Sequence, residues 1–241
     1  MCYATSLRKP EKEIEARFYA TQRVNFLYEP YYYQSGFEHS NLFIIPQDYP
    51  EEILPAMWGL VPGFGLDDID GFYKKYNTLN ARSEDVFSSR TYGKAIREGR
   101  CLIIADGFFE PHHSNDISYP HFCHLKDDSI FAFAGICSEY DDGEYSCSIL
   151  TKEANDFFAK VHNVKRRMPL VLDREFEEEW LRGDLSEENI KELMRVGFTT
   201  DEFEAYSVSH DLYRPGAPKD VPWAISKVDY PELGAQQSLF D

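Results

Sequence analysis

A cysteine at position 2 is the residue of this chain best placed for chemistry that no internal side chain can perform. With Met1 removed, Cys2 carries a thiol and a free α-amine on adjacent carbons. The amine has an unperturbed pKa of roughly 7.7–8.0 and the thiol about 8.5, so each is partly deprotonated near neutral pH. An aldehyde meeting this pair condenses with the amine to a Schiff base, and the thiol then closes a five-membered thiazolidine. The second step is intramolecular, so the entropy of bringing the reactants together is already met. Taken alone, Cys2 is equally an incidental small residue after the start methionine.

Three further places carry chemically capable residues. Asn80-Ala81-Arg82-Ser83-Glu84 sets an amide, a guanidinium and a carboxylate at alternate positions, on one side of the chain if the segment is extended. An amide can orient a reacting group, and Arg82 can hold a phosphate with two hydrogen bonds. The competing reading is the first turn of a helix capped by Ser83. Glu110 follows an apolar run and the pair Phe108-Phe109, where desolvation raises a carboxyl pKa towards neutrality and suits it to proton transfer; the alternative is a strand-end Glu facing water. His162 precedes Lys165-Arg166-Arg167, whose charges favour the neutral imidazole, although a single His is often a partly buried structural residue. His112, His113, His121, Cys123 and His124 do not follow a zinc spacing, so neither a metal nor another cofactor is expected.

These residues need elements to position them. Pro10–Phe18 reads as a helix, Tyr28–Tyr33 as an aromatic loop, and Leu42–Ile45 and Ala56–Val61 as short strands. Arg82–Arg97 has mixed helical periodicity. Cys101–Ala105 is a continuous apolar run, the pattern of a strand buried on both faces, leading to a sharp turn or bulge at Asp106-Gly107. Tyr119–Leu125, Ile130–Ile136 and Tyr145–Leu150 are further strands, joined at Asp127-Asp128 and Asp141-Asp142-Gly143. Glu153–Val161, Arg174–Arg182 and Glu187–Val196 are helical, with Pro169–Leu172 a strand. Strands in the middle and helices at both ends indicate α+β, with one domain over 1–230 and a tail over 231–241.

Composition narrows the classes. Of the 241 residues, 43% are hydrophobic and 15% aromatic, which excludes a disordered chain, and no run of about 18 apolar residues offers a membrane span. Five cysteines without a CxxC pair describe neither a disulfide framework nor a zinc ribbon, and a reducing cytoplasm is the expected compartment. A formal charge of −17 argues against nucleic acid as a partner, but it is unevenly spread. Asp173–Glu204 holds 12 acidic and 4 basic residues, whereas Gly71–Arg100 holds 7 basic and 3 acidic. A basic face on an acidic body can hold a short anionic ligand with an affinity that falls as salt rises.

Met1-Cys2, NARSED from Asn80, CLIIADGFFEP from Cys101 and HNVKRRMPLVL from His162 fall in order across roughly two-thirds of the chain. Together they resemble the SRAP (SOS response-associated peptidase) family of abasic-site processing proteins. The resemblance implies an α+β fold with a β-barrel-like core, a groove for single-stranded DNA, and covalent capture of abasic sites by the N-terminal Cys. It assigns the amine and thiol to Cys2 and orientation of the N-terminus or opened sugar to Asn80. Glu110 would shuttle protons and assist removal of Met1, and His162 would act on the sugar hydroxyl or leaving oxygen. Arg82, Lys165, Arg166 and Arg167 would hold phosphates, Thr151 would stand near the site, and Phe64 would stack at the wedge. An abasic deoxyribose equilibrates with an open aldehyde, the electrophile suited to a 1,2-aminothiol.

The chain departs from the family at Tyr3-Ala4, where many members have Gly-Arg, and at Phe64-Gly65, where tryptophans are common. The longer spacing after His162 leaves open which Arg holds phosphate. Two other classes remain: an N-terminal-nucleophile hydrolase or amidotransferase, and a non-covalent binder of single-stranded or modified DNA. The tail Gln236-Gln237-Ser238-Leu239-Phe240 resembles the bacterial sliding-clamp-binding pentapeptide, with Gln236, Leu239 and Phe240 as anchors. Nothing requires a dimer, so a monomer is expected.

Overall fold

Five strands close on themselves into a barrel: β4 (Asn41–Pro46), β5 (Glu52–Trp58), β7 (Arg100–Ala105), β10 (Phe131–Asp141) and β11 (Glu144–Glu153). The order β5-β4-β7-β10-β11 is antiparallel throughout, and β11 returns to β5 by a parallel pairing, Tyr145 opposite Ala56. This is a computed structural model and describes residues 2–23, 26–141, 143–196 and 203–233. The expected α+β fold with a β-barrel core is what forms, and the continuous apolar run of β7 is buried along its whole length. Closure removes the exposed edges an open sheet would carry.

A second, five-stranded sheet packs beside the barrel in the order β14 (Phe203–Ser207), β9 (Ile117–Leu125), β8 (Gly107–Ser114), β1 (Ala4–Leu7), β3 (Tyr31–Ser35). The chain passes from barrel to sheet at Asp106, between β7 and β8. The fully buried Asp106 carboxylate accepts from Ser6 Oγ at 2.7 Å, Arg8 N at 2.6 Å and Arg8 Nε at 3.2 Å, which pins β1 at the crossing. At Gly107 a Cβ would stand 2.3 Å from the Phe122 ring, so only glycine lets β8 start there. Pairing of Ala4 with Phe109 then brings the N-terminus up alongside Glu110.

The helices lie outside the sheets: α1 (Glu11–Phe18), α2 (Ile69–Lys75), α3 (Ala95–Glu98), α4 (Asp156–Val161), α5 (Arg174–Trp180) and α6 (Glu187–Val196). Helix α4 is held by an aromatic cluster. Phe158 meets Phe108 of β8 at 5.7 Å and Phe203 of β14 at 5.5 Å, and Phe203 meets Phe131 of the barrel at 5.3 Å. Such ring pairs add roughly 0.5–1.5 kcal/mol each beyond their buried area. They fix the end of α4, where His162 stands, against both sheets.

Several elements differ from the sequence expectation. Tyr28–Tyr33, read as a loop, contains most of β3, because its aromatic residues suit a half-buried edge position. The strand expected over Ala56–Val61 is instead Glu52–Trp58, ended by Gly59 at φ +127°. Arg82–Arg97 is a series of turns with only the short α3 at its end. Helix α4 begins at Asp156 rather than Glu153, since β11 runs on to Glu153 and Asn155 caps Phe158 N at 3.0 Å. The strand at Pro169–Leu172 is two: β12 (Arg167–Pro169) on β11 and β13 (Val171–Leu172) on β10. Leu233, the last described residue, is buried although it lies within the stretch 231–241 read as a tail. Gln236, Leu239 and Phe240 lie outside the described residues. No helix among the described residues is long and apolar enough to cross a membrane.

Candidate active site

Cys2, Asn80, Glu110 and His162 come from four separate parts of the chain and converge. Residues Asn80–Arg82 form strand β6, which runs parallel to β11 with Asn80 opposite Ile149. Strand β6 takes up the edge of β11 where β5 leaves it, and this settles NARSED as extended at its start rather than helical. Asn80 Nδ2 donates to the Cys2 carbonyl at 2.8 Å. The Asn80 Oδ1 is buried with no hydrogen-bond partner among the described residues. An acceptor left so costs about 1–3 kcal/mol.

Glu110 lies in the middle of β8, opposite His121, and is buried, not facing water at a strand end. Its Oε2 is 3.4 Å from His162 Nδ1. His162 is placed by its position directly after α4 and by Asn163, which clasps the backbone of His113: His113 N donates to Asn163 Oδ1 at 2.9 Å and Asn163 Nδ2 donates to His113 O at 2.7 Å. His162 Nδ1 also lies 3.2 Å from the Arg167 carbonyl. A carbonyl only accepts, so Nδ1 carries the hydrogen and Nε2 keeps the lone pair of the neutral ring.

Burial sets the electrostatics. It raises Glu110 to about 7. It lowers His162 to about 4. Near neutral pH the carboxyl is therefore partly protonated beside a neutral imidazole, a pair suited to giving and taking one proton. Cys2 is fully buried, and desolvation, followed by the charge of Glu110, holds its thiol well above its usual range. Glu110 and His162 line a cleft of about 670 Å³ together with Tyr3, Tyr33, Phe37, Lys165 and Lys219.

The chain matches the model of a family described as SOS response associated peptidase (SRAP) over residues 1–215. It belongs to the SRAP family. It is 30% identical over 163 residues to abasic site processing protein YoaM of Bacillus subtilis (strain 168), covering 66% of this chain and 69% of that one. Identity to abasic site processing protein YedK of Escherichia coli (strain K12) is 29% over 159 residues, 65% of this chain and 67% of that one. Abasic site processing protein HMCES of Gallus gallus is 30% identical over 175 residues, which are 62% of this chain and 50% of the relative. A solved protein from Bacteroides thetaiotaomicron superposes with a TM-score of 0.82 at 26% identity, over 95% of this chain and all of that one.

The other residues that the SRAP resemblance singles out are dispersed. Lys165 lines the cleft, and Arg166 is exposed in a left-handed conformation, φ 48°. Arg167 is engaged within the protein: its guanidinium spans both oxygens of Glu84 at 2.5 and 3.0 Å and donates to the Thr151 carbonyl at 2.7 Å and hydroxyl at 3.1 Å. Thr151 is fully buried, so it positions Arg167 and has no surface to offer a strand. Arg82 is exposed, 3.8 Å from both Glu84 and Asp85. Phe64 lies in a different groove, edge-on to Phe72 at 5.9 Å and under the Arg90 guanidinium at 4.5 Å. In the histidine-rich stretch, His112 Nδ1 lies 2.9 Å from the Lys160 carbonyl and His124 Nδ1 lies 2.8 Å from the Leu125 carbonyl. Sequence reasoning missed Asn163, Tyr3, Phe37 and Lys219. Asn163, next to His162, and Tyr3, next to Cys2, carried a local signal.

Opposite pKa shifts at Glu110 and His162 predict a pH signature in stability. Between its usual 4.5 and about 7 the folded carboxyl keeps a proton that the unfolded one loses, so Glu110 makes stability fall as pH rises. Between about 4 and its usual 6.5 the folded imidazole lacks a proton that the unfolded one binds, so His162 makes stability rise with pH. The two slopes oppose each other over most of this range. Urea unfolding of Glu110→Gln beside the wild type should show the variant gaining ~3 kcal/mol relative to the wild type as pH climbs through the Glu110 window. Parallel curves for the two proteins would contradict the assignment.

Proposed function

We propose that the mature protein, starting at Cys2, binds single-stranded DNA and captures the ring-opened sugar of an abasic site as a thiazolidine. The observation that carries this reading is a buried acid, Glu110, poised near neutrality beside the residue that holds the aminothiol. While residue 1 is attached, the Cys2 nitrogen is an amide and not a nucleophile. Its removal supplies the amine, and the same buried Glu110 is the proton carrier at hand for that hydrolysis.

The capture balances as follows. The Cys2 amine attacks the aldehyde carbon to give a carbinolamine. Protonated Glu110 supplies the proton with which the hydroxyl leaves as water, and the C=N bond forms. The iminium nitrogen keeps its own hydrogen, so the sulfur bonds to carbon, the C=N electron pair returns to nitrogen, and the thiol proton passes to the Glu110 carboxylate, restoring the acid. His162, neutral at working pH, exchanges protons with the sugar oxygens during ring opening. Asn80 fixes the Cys2 carbonyl with its amide nitrogen, and its unpartnered oxygen accepts a hydrogen bond from the new amine or the opened sugar. The ring ties up the aldehyde and so prevents β-elimination and breakage of the strand.

The test is incubation with a single-stranded oligonucleotide carrying one abasic site, resolved on a denaturing gel. A shifted band that is lost when the site is a tetrahydrofuran spacer, which has no aldehyde, is the expected result. An equal band with the spacer, or none with the abasic site, overturns the proposal.

A further inference from the structure

We propose that the cleft contains a nucleotide subsite in which the stacked Tyr3–Phe37 pair receives the base, and Lys219 the phosphate, of the residue next to the captured sugar. The inference rests on the reading of the site as a binder of single-stranded DNA and names what that site recognises beyond the sugar.

Tyr3 follows Cys2 directly, so whatever is bonded to Cys2 lies within one residue's reach of its ring. The Tyr3 and Phe37 rings are stacked at 5.0 Å with 29° between their planes. The pair is held in advance of any ligand. Phe37 sits on a 3₁₀ turn, Gly36–Glu38, whose Gly36 N donates to the Tyr3 carbonyl at 2.8 Å. A Cβ at Gly36 would crowd Leu79 at 3.0 Å and Trp58 at 3.1 Å, so the glycine lets the turn approach this closely. Even so, Phe37 is 63% exposed, and a rigid, solvent-facing aromatic platform is what an unpaired base stacks on.

Lys219 reaches the cleft by a separate route. The family match ends at residue 215, and the following segment is strapped across the second sheet. The Asp220 carboxylate accepts from Tyr32 N at 2.6 Å, Tyr206 Oη donates to the Ile225 carbonyl at 2.9 Å, and Val228 N donates to Ser207 O at 2.9 Å. Asp220 is thereby engaged by backbone, and Lys219 Nζ stands 5.9 Å from the Tyr33 ring. Lys165 is also part of the cleft lining. Among the described residues that line the cleft, Glu110 is the one carboxylate, although the chain as a whole carries −17. A pocket with two lysines on so acidic a protein favours an anionic occupant. Its volume of about 670 Å³ also exceeds what one opened sugar requires.

Fluorescence anisotropy tests this without the covalent step. Short single strands with a central tetrahydrofuran spacer are compared, one with adenine on both sides and others with a second spacer replacing the 5′ or the 3′ adenine. The wild type should bind the all-adenine strand about 5- to 50-fold more tightly than one of the two double-spacer strands. Phe37→Ala should abolish that preference. Lys219→Gln should weaken binding to every strand alike, by a few-fold, and flatten the salt dependence. Phe37 and Lys219 are at the surface, so neither change threatens the fold. Equal binding of all strands by the wild type, no binding at all, or an undiminished preference in Phe37→Ala overturns the subsite. Crosslinking of an aldehyde-bearing strand by the wild type is scored separately. Failure of capture with the base preference intact sinks the covalent reading and leaves the subsite standing.

Discussion

Cys2→Ser is expected to abolish the stable adduct while preserving a transient one. Serine keeps the α-amine once residue 1 is removed, so condensation with the aldehyde still gives a Schiff base and one water. The hydroxyl is a poorer nucleophile than the thiol, and without sulfur the imine hydrolyses back under denaturing conditions. On a gel the variant should therefore show no band above background, against near-complete conversion of the wild type. Borohydride added during incubation should recover the band, because reduction of C=N to an amine traps the intermediate. This pattern separates the amine's role from the thiol's, and a structural role for Cys2 does not produce it. A heat-stable adduct in Cys2→Ser without reductant would remove the thiol from the chemistry.

Glu110→Gln carries the second large effect. The side chain keeps its size and hydrogen-bonding capacity, so the strand register around Ala4–Phe109 has no reason to move. What disappears is the proton. Positioned acid–base catalysis contributes typically 10²–10⁴-fold, so capture under single-turnover conditions should slow by about 10²-fold or more, with little change in oligonucleotide affinity. The pH profile is the sharper readout. In the wild type the acid form of Glu110 is present below about 7, while the free amine gains above roughly 8, so the rate should pass through a maximum between these limits. In Glu110→Gln the limb that reports the carboxyl should vanish and the limb that reports the amine should remain. An unaltered bell in the variant would place the titrating acid elsewhere.

How much of this was legible in the sequence depends on the length scale of the signal. The apolar run 101–105 announced a strand buried on both sides, but it left open whether Glu110 was desolvated or faced water, which the pairing of β8 with β1 and β9 decides. Cys2, Asn80, Glu110 and His162 were marked by residue type and by the motifs of the family resemblance; in the structure Asn80 holds the Cys2 carbonyl and Glu110 lies beside His162. Tertiary exchanges were not legible. Arg167 looked like one more phosphate-binding cation in a basic run, yet Glu84 and Thr151, distant in sequence, occupy its guanidinium. Phe64 was marked by the family resemblance, but its groove is distinct from the cleft of Glu110 and His162. Strand β14 was overlooked because its alternation, with Phe203, Ala205 and Ser207 inward, is too short to stand out beside an acidic stretch. Lys219 has no local signature at all. It reaches the cleft through hydrogen bonds that Asp220, Ile225 and Val228 make with other strands.

The most direct measurement is the intact mass of the purified protein before and after exposure to an oligonucleotide with one abasic site. Before exposure, the polypeptide should weigh what a chain beginning at Cys2 weighs. Afterwards a species should appear at the mass of that chain plus the oligonucleotide less one water, the balance of imine formation followed by thiol addition. A chain that retains residue 1, or a protein whose mass is the same before and after, would contradict the account.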